Sequence, residues 1–154
     1  MKKNIFIPLF VIAICLAVIG CSSESKTQDW VESNLFTSES YTFIGEEGKL
    51  GFIYDDSDVA RFYPDKGHKY MWNFWGSEEE LKGVVTVTAT HENDDEKSIT
   101  LFSYRDPWQY QNSSEKRNLP SVFSLPTSGM WKLDAFIDDE LFGSIFVKVH
   151  EYEE

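Results

Sequence analysis

Eight consecutive residues, Val84 to His91, read VVTVTATH, and their strict alternation sets Val85, Val87 and Ala89 on one side and Thr86, Thr88 and Thr90 on the other. A period of two belongs to a strand with one buried face, and β-branched residues favour it. The same period recurs along the chain. Lys69 to Trp75 places Tyr70, Trp72 and Phe74 opposite Met71, Asn73 and Trp75. Met130 to Ile137 turns Trp131, Leu133 and Ala135 inward, and Phe142 to Val149 does so with Ile145, Val147 and Val149. Further strands are predicted at Leu50 to Tyr54, Ser98 to Tyr104 and Ser121 to Leu125, with another at Tyr41 to Ile44.

No segment after residue 40 carries a helical stripe of ten residues; SEEELKG at 77–83 suits one short turn or a brief helix. Polar turns, ENDDEK at 92–97 and Asp-Asp-Glu at 138–140, separate the strands. Seven to eight short strands joined in this way predict an all-β chain, an immunoglobulin-like antiparallel β-sandwich. A small barrel is the alternative. A strand with large side chains on both faces is usually central, so Trp72 is expected in the core and Trp75, beside Gly76, at a rim.

The N-terminus has a different plan. Lys2 and Lys3 precede an apolar run from Ile5 to Ile19, followed by Gly20 and Cys21. That run is shorter than the ~20 residues a spanning helix needs, and it has the three-part layout of a secretory signal. Val18-Ile19-Gly20-Cys21 resembles the lipobox of bacterial lipoproteins, which makes Cys21 the expected lipidation site and new N-terminus. Cys15 is the other cysteine and lies inside the removed segment, so the mature chain has no disulfide. Two acyl chains on Cys21 would give stable anchoring. The expected domains are a signal peptide at 1–20, a tether at 21–40 and a sandwich at 41–154. The tether's last part is expected to dock through Trp30, Val31, Leu35 and Phe36.

Charge narrows the partners. With Lys2 and Lys3 removed, 12 basic side chains face 26 acidic ones, a formal balance of −14 against −12 for the whole chain. Such a surface repels nucleic acid and anionic lipid, so nucleic acid is excluded as a partner.

KYMWNFWG at 69–76, ELKG at 80–83 and LPTSGMWKLDAFIDDELFGSIFVKVH at 125–150 together resemble a family of small Bacillus-type lipoproteins whose domain has no assigned function. In that family a YMW-x-FWG strand is followed by a Leu-x-Gly turn, and a Pro-x-x-Gly-x-Trp-[KR]-Leu strand by a Leu-[FY]-Gly-Ser-Ile partner. The resemblance covers residues from about 50 to 150. It implies a lipid-anchored, immunoglobulin-like sandwich on the extracytoplasmic face of the cell membrane, and it carries no catalytic residues. Packing accounts for much of the motif: Trp131 and Leu133 fill the core, and Gly143 lets the last strand pass under a large neighbour.

Chemistry is sparse. His91-Glu92-Asn93-Asp94-Asp95 begins like a zinc HExxH motif but ends in Asp and lies on a strand and turn, where i, i+4 geometry fails. Asp55, Asp56 and Asp58 lack the Gly and Glu of an EF-hand loop and read as a solvated turn, with a surface Ca²⁺ site as the alternative. His68, His91 and His150 are far apart, and there is no G-x-S-x-G. No catalytic residue, metal or cofactor is expected.

Function is expected instead in the long loop at 104–118, where Tyr104, Arg105, Trp108 and Tyr110 stand among amides and charges, with Trp75 nearby. The reading is a non-catalytic binding or accessory module, held to the membrane by its lipid and offering this loop to an envelope protein. Wall glycan is the alternative ligand, and an envelope enzyme or protease inhibitor a further one. Trp108 folded back as a lid is the competing role for that residue.

Overall fold

The computed structural model describes residues 30–108 and 115–152. These residues form nine strands and no helix: β1 (Leu35–Ser38), β2 (Tyr41–Glu46), β3 (Leu50–Ile53), β4 (His68–Trp75), β5 (Val84–His91), β6 (Asp94–Arg105), β7 (Lys116–Phe123), β8 (Gly129–Ile137) and β9 (Glu140–Val149). They make two antiparallel sheets, one ordered β1-β2-β3-β4-β7 and the other β6-β5-β8-β9. The chain is therefore an all-β sandwich of the expected kind, with nine strands instead of seven or eight.

Alternation set the faces correctly. Val85, Val87, Ala89, Leu133, Ala135, Ile145 and Val147 are wholly buried. Opposite them Phe52, Trp72 and Phe74 are equally closed off, with Phe52 and Trp72 paired across β3 and β4 and their rings 4.8 Å apart. Trp72 donates its indole N–H to Ser121 Oγ at 2.9 Å, so its one polar atom stays satisfied inside the core. Gly143 lies under Leu50: a Cβ there would come within 3.2 Å of the Leu50 side chain.

Strand bounds differ from expectation in three places. The turn between β5 and β6 shrinks to Glu92 and Asn93, and Asp94 to Lys97 extend β6, because pairing continues from His91 to Asp94 through a register shift. β7 starts at Lys116 instead of Ser121, since the whole of β4 offers it partners from Trp75↔Lys116 to His68↔Phe123. The loop expected at 104–118 is thereby shortened to residues 106–115. Residues 77–83 form a turn, closed by Ser77 and Glu80.

The third difference lies at the N-terminus. Leu35–Ser38, expected within the tether, is strand β1 and pairs with β2. Ahead of it, Ser33 exchanges two bonds with Phe146 of β9, and Lys148 N–H donates to Glu32 Oε1 at 3.1 Å. The segment covers the free edge of β9 and joins the sheets along that flank. Trp30 packs edge-on against Phe146 and Phe36 stacks on Phe43, whereas Val31 and Leu35 point to solvent.

Candidate functional site

Trp108 takes the lid role. It is 7% exposed, its ring lies 5.3 Å from Phe74, and its indole N–H donates to the Leu81 carbonyl. Leu81, from the 77–83 turn, is itself in the core. Loop and turn thus close the same end of the sandwich, and Trp108 offers no face to a ligand. Tyr104 is 41% exposed on β6 beside Phe102, and Arg105 ends that strand in solvent. Tyr110 lies outside the described residues, as do Cys21 and the expected signal segment. Among the described residues, Tyr104, Arg105, Trp108 and Trp75 are therefore not gathered into one platform.

Trp75 has a different setting. It ends β4 on the outer face of its sheet, half-buried, with Phe43 and Phe36 at 5.6 and 5.9 Å. Its backbone N–H donates to Lys49 O, and the next residue, Gly76, donates to Glu115 O. Those two bonds bring together the β2–β3 turn, the end of β4 and the end of the 106–115 loop. The result is an open groove of about 920 Å³, floored by Trp75 and Phe142 and rimmed by Glu46, Glu47, Glu78, Glu80 and Glu115. Lys49 is the one cation in its lining among the described residues, 3.9 Å from Glu46. Glu80 accepts from Ser77 N–H and Oγ–H at 2.9 and 2.7 Å, which holds its carboxyl below the usual range. The groove is an anionic trough with an aromatic floor.

The HExxH-like and Asp-rich segments are held by structural contacts. His91 Nε2–H donates to the Ser128 carbonyl in the turn before β8, and Nδ1 accepts from Asn93 N–H in the β5–β6 turn, so both ring nitrogens are used in holding turns. Glu92 accepts from Met130 N–H at 2.8 Å. Asp56 and Asp58 both hold Arg61, at 2.9 and 2.8 Å, and Asp55 accepts from Ser57 N–H. The hydrogen bond from Arg61 is the chief reason the Asp56 carboxyl sits below its ordinary value. Asp56 and Asp58 thus serve as an arginine clasp.

Sequence reasoning placed Trp75 at a rim but missed the glutamates around it. Their clusters at 46–47 and 78–80 are visible in the chain, yet Glu115 joins them only through the β4–β7 pairing.

The family described as a domain of unknown function, DUF4871, matches residues 22–147. The chain belongs to this family. The DUF4871 match takes in the strap at 30–34 together with the sandwich through most of β9. Among solved structures, one described as a "Putative Lipoprotein from Bacillus anthracis" is similar at 20% identity and a TM-score of 0.59, covering 79% of this chain and 87% of that one. The likeness is one of fold, and it puts this DUF4871 chain beside a protein described as a lipoprotein.

Proposed function

We propose that this chain is a non-catalytic binding module, anchored by a lipid on Cys21 to the extracytoplasmic face of the membrane, whose ligand is a basic segment of an envelope protein. The observation that carries the reading is the groove beside Trp75. Five carboxylates around an aromatic floor attract Lys or Arg side chains, and a guanidinium over an indole face gains about 0.5–2 kcal/mol depending on desolvation. A formal charge of −14 on the mature chain steers such a partner from a distance. The lipobox at 18–21 and the likeness to a described lipoprotein support the anchor. Trp30 lies nine positions after Cys21, a reach of at most about 30 Å, so the groove works close to the membrane.

The test is photo-crosslinking in cells through a probe at position 78, beside the same probe at position 141 on an exposed part of β9. A discrete protein adduct at 78, absent at 141 and lost when Glu46, Glu47 and Glu115 become Gln, is the expected result. No adduct at 78, or one indifferent to those substitutions, would overturn the groove as the contact. Labelled palmitate incorporated by the wild type and absent from Cys21→Ala checks the anchor.

A further inference from the structure

At the other end of β4, roughly 25 Å from the groove, the geometry points to a second site that takes a neutral saccharide. Its cavity, about 660 Å³, is lined by Asp58, Arg61, Tyr63, Lys66 and Tyr152, a volume within the range of small-molecule sites. Two distant parts of the chain build it. The segment after β3 is fixed because Phe62 is buried, stacked between Tyr54 and Tyr70 at 5.5 and 5.1 Å, and accepts from His150 N–H at 2.8 Å. That bond carries the chain beyond β9 past Tyr63. Tyr152 then stacks on Tyr63, centroids 5.0 Å apart and planes 16° from parallel, and its hydroxyl donates to Pro64 O at 3.3 Å.

The lining has the chemistry a sugar ring requires. Tyr152 is stacked on one face yet 61% exposed, which leaves aromatic surface free for the C–H face of a pyranose. Lys66 Nζ lies 4.9 Å from the Tyr63 centroid and has no carboxylate partner among the described residues, so its protons are available to hydroxyl oxygens. Asp58 supplies carboxylate oxygens to hydroxyl protons, and Arg61, clasped by Asp56 and Asp58, keeps that edge in place. Donors and acceptors thus stand side by side next to a ring. The lining is mixed in sign: Asp58 stands against Arg61 and Lys66, and Arg61 is already clasped by Asp56 and Asp58, so the cavity favours a neutral polar ligand over an ion.

Saturation-transfer NMR on the full lipidated chain in detergent, with chitotetraose and cellotetraose as probes, tests the site. Transfer to the ring protons of at least one probe is expected, falling at least tenfold in Tyr152→Ala and severalfold in Lys66→Gln, with the circular dichroism of the folded chain retained in both because Tyr152 is largely exposed and Lys66 only partly buried. No transfer to either probe overturns the proposal, and so does transfer that persists undiminished in Tyr152→Ala. Neither substitution touches the Trp75 groove, so the two readings stand or fall separately.

Discussion

The indole N–H of Trp108 donates to the carbonyl of Leu81, and that bond ties the loop leaving β6 to the turn leaving β4. Both residues are buried, and Phe74 lies beneath the indole. Trp108→Ala would open a cavity against Phe74 and leave the Leu81 carbonyl without its donor. The expected cost is about 3–5 kcal/mol, in the range of large aromatic truncations in cores. Thermal unfolding by circular dichroism measures it; an unchanged melting temperature would mean that the side chain lies outside the core.

Burial pushes the phenols of Tyr54 and Tyr70 well above their ordinary value, with Glu32 and Asp56 adding to the effect at Tyr54. The folded chain keeps protons that the unfolded chain releases above about pH 10. Stability from this source is present in full below that pH and drains away as pH climbs toward the raised folded-state values. Absorbance at the phenolate band should show these two groups ionising only together with unfolding. Both hydroxyls are buried without a hydrogen-bond partner among the described residues. Tyr70→Phe is therefore expected to be neutral or to stabilise by up to about 1 kcal/mol at pH 7, and to soften the alkaline loss.

Gly83 and Asp138 share one space. A Cβ on Gly83 would sit 2.3 Å from the Asp138 carboxyl carbon, and Asp138 Oδ1 accepts from Val84 N–H at 2.7 Å. Gly83 also holds φ at +131°, which L side chains rarely adopt. Gly83→Ala should cost roughly 2 kcal/mol or more, part strain and part eviction of Asp138. The cost should shrink in an Asp138→Ala background, where the space is free. Strict additivity in that double-mutant cycle would refute the shared space.

Ser33 Oγ accepts from the Phe146 amide at 2.9 Å, covering an edge that would otherwise face solvent. Ser33→Ala is expected to cost only about 1 kcal/mol in global stability. Its sharper signature is local: hydrogen exchange at the Phe146 amide should accelerate while that of Val87, on the inner strand β5 of the same sheet, stays near the wild-type rate. Equal protection at Phe146 in both proteins would show that the strap does not guard this edge.

The alternation of Val84 to His91, and the same period in β4, β8 and β9, was enough to assign the sandwich and to place Trp72, Leu133 and Ile145 in the core. A strand's two faces are written in neighbouring residues, so the hydrophobic effect acts on a pattern that is local to read. Trp75 and Trp108 show where that reading stops. Both lie in aromatic, polar surroundings in the chain, yet one lines an open groove and the other is shut beneath a turn from elsewhere in the sequence. Even the strand status of Leu35–Ser38 depends on β2 supplying partners for its N–H and C=O groups. The glutamates of the groove and the Tyr63–Tyr152 pair are likewise distant in sequence. They meet only because strand pairing, a long-range exchange of hydrogen bonds, brings the sheet's two ends into register. Sequence therefore determined which faces are buried, and tertiary structure decided which exposed residues share a site.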